Sequence, residues 1–277
     1  MKKNIRFYST VVLVSLLILS LSTYFESPWS DIIYVSAFLF PLLYAESYAK
    51  RDRVKREEEG GSAIAYRSYF EIDKRGVLLS LPTVVPAVLL IALTSYLTSL
   101  FMGWIGYSSN VNYDGSLFYM LVTLALLPAV LEEMLFRYLP MKLLLPYSAR
   151  AAVVSSAVLF ASFHLDILKI PYALIAGFIF ITVDIMADSV IPSIVIHFTN
   201  NALSVVLMKY ADTELAERVV YITLIPLLLV SLLFIIIGRK SYKSAVKRAL
   251  ARGDEYKYDA SIMLLPVLSV AVALLSL

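Results

Sequence analysis

Long apolar runs, each broken by a short polar stretch, follow one another along the whole chain. Nine stand out: Phe7–Tyr24, Ile32–Tyr48, Val77–Phe101, Leu117–Leu145, Ala151–Leu165, Pro171–Ala187, Val190–Met208, Val219–Ile237 and Ser261–Leu277. A helix needs about 20 mostly apolar residues to cross roughly 30 Å of hydrocarbon. The pattern predicts an all-α, polytopic transmembrane bundle of eight or nine spans. The fourth run breaks its own rule, because Glu132, Glu133, Arg137 and Lys142 fall inside it.

Composition turns that pattern into a class. Of 277 residues, 60% are hydrophobic and 16% charged, against roughly 45–50% and about 25% in a soluble domain. A water-soluble fold of this size has no room to bury so much apolar surface, so an integral membrane protein is expected. Cysteine is absent, which removes disulfides, thiolate metal sites and a cysteine nucleophile. The net charge of +3 is too small to point to nucleic acid.

The placement of charge says more than its sum. With the N-terminus in the cytoplasm and nine alternating spans, twenty Lys and Arg fall in cytoplasmic segments and three (Lys169, Lys209, Arg218) in external ones. That asymmetry follows the positive-inside rule and sets the expected orientation in the cell membrane. The first run also has the basic start and short apolar core of a signal peptide. No small-x-small cleavage site follows it, so an uncleaved span is expected. Between Arg239 and Tyr258, apolar Tyr242, Val246, Ala249 and Leu250 recur at helical spacing among basic residues. Two readings stand for that segment: a helix lying on the anionic inner leaflet, or a solvated charged loop.

Ionisable groups at membrane depth are expensive and mark function until a structural partner explains them. Glu133 and Arg137 are four residues apart and share a helix face, so they are expected to pair. Glu132 points about 100° away, with no basic residue in its own helix to answer it. The only two histidines, His164 and His197, both lie within apolar runs. Each has a companion one turn away, Phe160 for His164 and Asn201 for His197. Residues on consecutive antiparallel helices are level when equally far from the turn. Glu132 and His164 each stand sixteen residues from Ser148, in the break Pro146-Tyr147-Ser148. They are therefore expected at one depth, with His197 on the order of 10 Å into its own span.

These positions resemble a known family. Glu132-Glu133-x-x-x-Arg137, Phe160-x-x-x-His164 and His197-x-x-x-Asn201 are similar to the three motifs of the CPBP intramembrane proteases. That family includes the type II CAAX prenyl endopeptidases and the bacteriocin-processing and self-immunity proteins. Leu135-Phe136-Arg137 and the stretch Asp188-Ser189-Val190-Ile191-Pro192 also match. The resemblance covers roughly Leu117 to Leu207. It divides the chain into N-terminal spans with a basic loop (1–110), a protease-like core (117–208) and C-terminal spans with a basic segment (209–277).

The resemblance implies an intramembrane endopeptidase cutting a membrane-associated or prenylated, CAAX-type peptide. It implies that Glu132 is the general base that activates water, with His164 assisting. His197 and Asn201 then face the oxyanion, and Glu133 and Arg137, with Phe160 beside them, orient the site. A metal-free mechanism is expected. A zinc version, with Glu132, His164 and His197 as ligands and an open position for water, stands beside it. There is no His-Glu-x-x-His helix, and Asn201 is a poor zinc ligand. Two further classes are weighed: a non-catalytic, immunity-type peptide-binding protein on the same scaffold, and a small transporter using Glu132 and the histidines as a proton relay. Inverted-repeat transporters show two related halves, which this sequence does not.

Other polar residues have plainer expectations. Asp184 and Asp188 are read as helix-end residues, and Asp166 and Lys169 as solvated loop residues. Many of the 19 Tyr sit near span ends as an interfacial belt, and some are expected to line a cavity for a lipidated substrate. The expected partners are that peptide substrate and a bilayer with an anionic inner leaflet. The sequence carries no sign of oligomeric state.

Overall fold

The computed structural model describes residues 1–59, 69, 74, 81–104, 115–166, 168–210 and 225–250, and every regular element among them is helical. In chain order these are α1 (Lys2–Ser22), α2 (Trp29–Glu58), a short 3₁₀ turn (Leu81–Thr83) leading into α3 (Val84–Trp104), α4 (Leu117–Leu143), α5 (Ala149–Phe163), α6 (Ile170–Ala187), α7 (Ile191–Tyr210) and α8 (Ile225–Leu250). Six segments among the described residues are long and apolar enough to cross a membrane: Lys2–Ser22, Trp29–Lys55, Leu81–Trp104, Leu117–Leu143, Ile170–Ala187 and Ile191–Tyr210. The protein is an all-helical integral membrane protein. The ninth apolar run, Ser261–Leu277, lies outside the described residues.

The first run is a helix of the core. Ile5, Tyr8, Val11 and Val12 of α1 are buried. Near its start, Asn4 Nδ2 donates to the carbonyl of Leu143 at 3.1 Å and to Asp52 at 3.3 Å, while the Tyr48 hydroxyl donates to Asn4 Oδ1 at 2.9 Å. Lys142 pairs with Glu46 beside this group. These contacts gather the starts of α1 and the ends of α2 and α4 at one end of the bundle.

Two findings differ from the sequence pattern. The run expected to span at Ala151–Leu165 is α5, 15 residues long and buried along most of its length. At 1.5 Å per residue it reaches only about 22 Å, and its alanine- and serine-rich surface packs among the other helices, so it is a core helix. It stops because Leu165 adopts a left-handed conformation, φ 50°, and Asp166 Oδ1 accepts from the Leu168 N–H at 2.9 Å in a tight turn. Secondly, α8 runs without a break from apolar Ile225 into the basic segment as far as Leu250. The solvated-loop reading therefore fails from Arg239 to Leu250: its Lys, Arg, Ala and Leu are good helix formers and carry the helix on. Residues 251–258 lie outside the described residues.

Helix α4 is not a plain α-helix. π-helical turns occupy Leu121–Leu126 and Met134–Tyr138, each ending two residues before a proline, Pro128 or Pro140. A helical proline has no N–H to offer the carbonyl four residues back and crowds it. For Pro140 that carbonyl belongs to Phe136, and the Ser156 hydroxyl of α5 donates to it instead. The prolines thus widen α4 on both sides of the short regular turn that carries Glu132 and Glu133, and fix its second wide turn to α5.

Helices α5 and α6 pack backbone to backbone. A Cβ built on Gly177 would lie 2.7 Å from the Ala157 Cα and 3.2 Å from its carbonyl oxygen. Gly177→Ala is expected to push the helices apart and destabilise the protein by about 1–3 kcal/mol, as overpacking does. The check is a lower thermal midpoint in detergent; an unchanged midpoint would show that the pair has slack. At the other end of α6, Asp188 caps the helix in a left-handed conformation, φ 49°. Asp184 is fully buried, and its Oδ1 accepts the Ser193 N–H at 3.0 Å. That N–H lies in the first turn of α7, where the helix itself offers no acceptor. Asp184 therefore acts as a remote cap that fixes the angle between α6 and α7.

Candidate active site

The four residues expected to do chemistry line one cavity of about 600 Å³: Glu132 from α4, His164 at the end of α5, and His197 and Asn201 from α7. The widened turns of α4 set how its adjacent glutamates diverge. Glu132 turns to the cavity, while Glu133 is wholly buried against Arg137, their Oε2 and Nε 3.0 Å apart. The expected ion pair is present, and it has a further partner. Glu133 Oε1 lies 2.6 Å from His197 Nδ1.

Arg137, Glu133 and His197 thus form a chain that crosses from α4 to α7. A carboxylate held by a guanidinium accepts, so Nδ1 of His197 carries the hydrogen of that contact and Nε2 is left to face the cavity. On that side His197 Nε2 stands 4.0 Å from Glu132 Oε2. This separation suits groups that act on one small species between them. The Tyr34 hydroxyl of α2 donates to Glu132 Oε1 at 3.4 Å and limits the carboxylate's freedom.

His164 is held differently. Its Nδ1 donates to the carbonyl of Phe160 in its own last turn, at 3.0 Å, so its Nε2 is again the nitrogen left for other work. Phe160 stands edge-on to both histidines, with ring centroids 5.0 Å from His164 and 6.0 Å from His197. The guanidinium of Arg137 lies 4.1 Å from the Phe160 ring centre and 4.9 Å from that of Phe180. Cation–π contacts of this kind are strongest where water is excluded. Asn200 Nδ2 donates to Asn201 Oδ1 at 3.2 Å, which directs the Asn201 NH₂ group to donate elsewhere.

The structure brings together Glu132, Glu133, Arg137, Phe160, His164, His197 and Asn201, all of which the sequence singles out. It adds four others. Tyr34 and Asn200 orient a neighbour, Phe180 packs against both Arg137 and His197, and Lys169 lines the cavity. Lys169 also lies 3.6 Å from Asp166 in the turn, with 49% of its side chain exposed, in keeping with a solvated loop residue. Tyr34 and Phe180 had no distinguishing signal among so many aromatics. Lys169 did have one, as a rare basic residue at the sparsely charged end of the bundle. Tyr96 and Tyr172 line the cavity, as expected of some tyrosines.

Among the described residues, no three His, Cys, Asp or Glu side chains are grouped closely enough to hold a metal ion. His197 gives Nδ1 to Glu133, which leaves its Nε2 for the cavity side.

Comparison with known proteins gives one match. Residues 114–203 fit the family model described as type II CAAX prenyl endopeptidase Rce1-like. That segment holds all three motifs and most of the cavity wall. No curated protein and no solved structure matches the chain.

Proposed function

We propose that this chain, whose residues 114–203 are a type II CAAX prenyl endopeptidase Rce1-like domain, is an intramembrane endopeptidase that hydrolyses a membrane-associated or prenylated peptide without a metal. The observation that carries the reading is the convergence of Glu132, His164, His197 and Asn201 on one cavity, with His197 set between the two glutamates. Such an arrangement supplies what peptide cleavage needs: a base for water, a proton carrier and donors for the developing oxyanion.

In this reading Glu132 takes a proton from a water held between its carboxylate and a histidine Nε2. The hydroxide adds to the peptide carbonyl, whose oxygen becomes an oxyanion. Asn201 Nδ2–H, and His197 Nε2 when it carries a hydrogen, donate to that oxyanion. Collapse of the tetrahedral species breaks the C–N bond, and Glu132 returns its proton to the leaving nitrogen. Arg137 and Glu133 do not touch substrate. They are positioning residues, fixing the ring of His197.

The test uses purified protein with a farnesylated CAAX peptide and the same peptide unmodified, each with and without exhaustive chelation. Cleavage that survives the chelator is the expected result. The ratio of the two rates reads the preference for the lipid. Failure to cut either peptide, with the protein folded, favours the peptide-binding alternative. Activity lost on chelation and restored by zinc overturns the metal-free mechanism.

A further inference from the structure

A second hollow lies between α1 and α2 and shares no lining residue with the active-site cavity. It is a groove of about 410 Å³, lined by α1 from Phe7 to Ile18 and by Phe40, Pro41 and Tyr44 of α2. Val11 is buried at its base, while Val14, Phe40 and Tyr44 are exposed along its rims. Both helices are long and apolar enough to cross a membrane. These exposed apolar side chains therefore stand in hydrocarbon, and the groove is open to lipid.

The groove has a matched length and one charged end. Phe7 and Ile18 are about 16 Å apart along the helix, against about 15 Å for half of the hydrocarbon core. Phe7 closes one end, stacked on Tyr48 with ring centroids 3.7 Å apart and tilted against Tyr44 at 5.9 Å. Beyond these rings the same faces carry cations. Lys3 stands one turn before Phe7 on α1, and its Nζ lies 5.5 Å from the Tyr48 ring centre. Arg51 lies one turn past Tyr48 and two past Tyr44 on α2, and is exposed. Asp52 turns inward instead, accepting from Asn4 at 3.3 Å and from Tyr147 at 3.4 Å. Along the groove itself neither helix carries a charge of this sign, since Arg6 is the last cation of α1 and Lys50 the first of α2.

We infer that this groove is a binding site for one phospholipid with an anionic headgroup, its acyl chain lying between α1 and α2 and its phosphate held by Lys3 and Arg51. An apolar trough alone accepts any chain in the bilayer. Here the cations stand one chain length from the far end of the trough, where a headgroup begins, and Lys and Arg attract anionic headgroups. Tyr44 and Tyr48 lie at that junction, and a ring bearing a hydroxyl suits the boundary between hydrocarbon and water. A second copy of the chain or a bare prenyl group has no phosphate to set against the cations, so each fits only the apolar half of the site. The bound lipid bridges α1 to α2 and stabilises the hairpin whose Tyr34 donates to Glu132.

The test titrates the full-length chain, purified in a mild detergent, with phosphatidylglycerol and with phosphatidylcholine carrying the same acyl chains. Native mass spectrometry counts retained lipid, and the thermal midpoint is followed alongside. One phosphatidylglycerol per chain is expected to stay bound and to raise the midpoint, with phosphatidylcholine held more weakly. Lys3→Gln and Arg51→Gln are each expected to weaken phosphatidylglycerol by about fivefold and phosphatidylcholine little. Val14→Trp fills the groove from its exposed rim and is expected to release both lipids. Lys50→Gln removes a cation from the same end, but from the helix face that carries Glu46 one turn away, and is expected to bind as wild type does. Equal retention of the two lipids, an equal loss from Lys50→Gln, or binding that survives Val14→Trp overturns the inference. So does a dimer that Val14→Trp disrupts, which gives the groove to a second copy, or displacement of phosphatidylglycerol by a farnesylated peptide, which gives it to a prenyl chain. No readout depends on turnover, so the peptidase reading stands or falls separately.

Discussion

Glu132→Gln loses turnover by about 10²–10⁴-fold, the range for removal of a general base, and the protein stays folded and inserted. Both halves of that expectation follow from where Glu132 sits. Its carboxylate borders the cavity rather than the buried ion pair, with 14% of the side chain exposed against 0% for Glu133. Its described hydrogen bond is one it accepts from Tyr34, and a glutamine oxygen accepts it equally well. What glutamine lacks is a basic oxygen to take a proton from water. Turnover of a fluorogenic peptide and the thermal midpoint in detergent measure the two effects separately. Turnover within tenfold of wild type would remove Glu132 from the role of base. A collapsed midpoint would mean that it holds the fold as well.

The same residues show what a sequence can and cannot reveal. Six of the nine expected spans were legible because a lipid-facing helix must be apolar for most of its length, and run length is visible in one dimension. Glu132 and His164 border one cavity, and Ser148 sits at the break between their helices as the cap of α5, accepting from the Ala151 N–H at 3.3 Å. The shortness of α5 was in the numbering, but its cause was not: Leu165 takes a left-handed conformation that no pattern of apolar positions encodes. The π-helical turns had a partial signal in Pro128 and Pro140. Their completion by Ser156, twenty residues on, is a tertiary event.

The site divides in the same way. Glu132, His164, His197 and Asn201 stood out because ionisable and amide groups in apolar runs are costly. The pairing of Glu133 with Arg137 followed from their spacing. The second partner of Glu133, His197, lies on another helix sixty-four residues away, and only the folded bundle discloses it. That contact changes the reading of Glu133. It neutralises Arg137 and also determines which nitrogen His197 presents to Glu132.

The buried chain Arg137–Glu133–His197 should therefore respond unequally to losing its two charged members. Glu133→Leu leaves a guanidinium with no counter-charge in a fully buried position, and a guanidinium cannot shed its proton. Removing one partner of a buried pair costs about 3–5 kcal/mol, and Glu133→Leu is expected at the upper end or beyond, with little folded protein recovered. Arg137→Leu leaves a carboxylate that still has His197 at 2.6 Å and can itself take up a proton, so its cost is expected near the lower end. The double variant removes both charges and is expected to be more stable than Glu133→Leu alone, because a matched apolar pair replaces a buried ion. Activity should follow a different order: each variant that lacks Glu133 loses the anchor of His197 Nδ1 and turns over slowly even where it folds. Thermal midpoints of the three variants, with turnover measured on the folded fraction, test both orders. Additive losses in the double variant, or a greater loss from Arg137→Leu than from Glu133→Leu, would show that the pair is not an isolated buried couple and that the site holds its charge by some other arrangement.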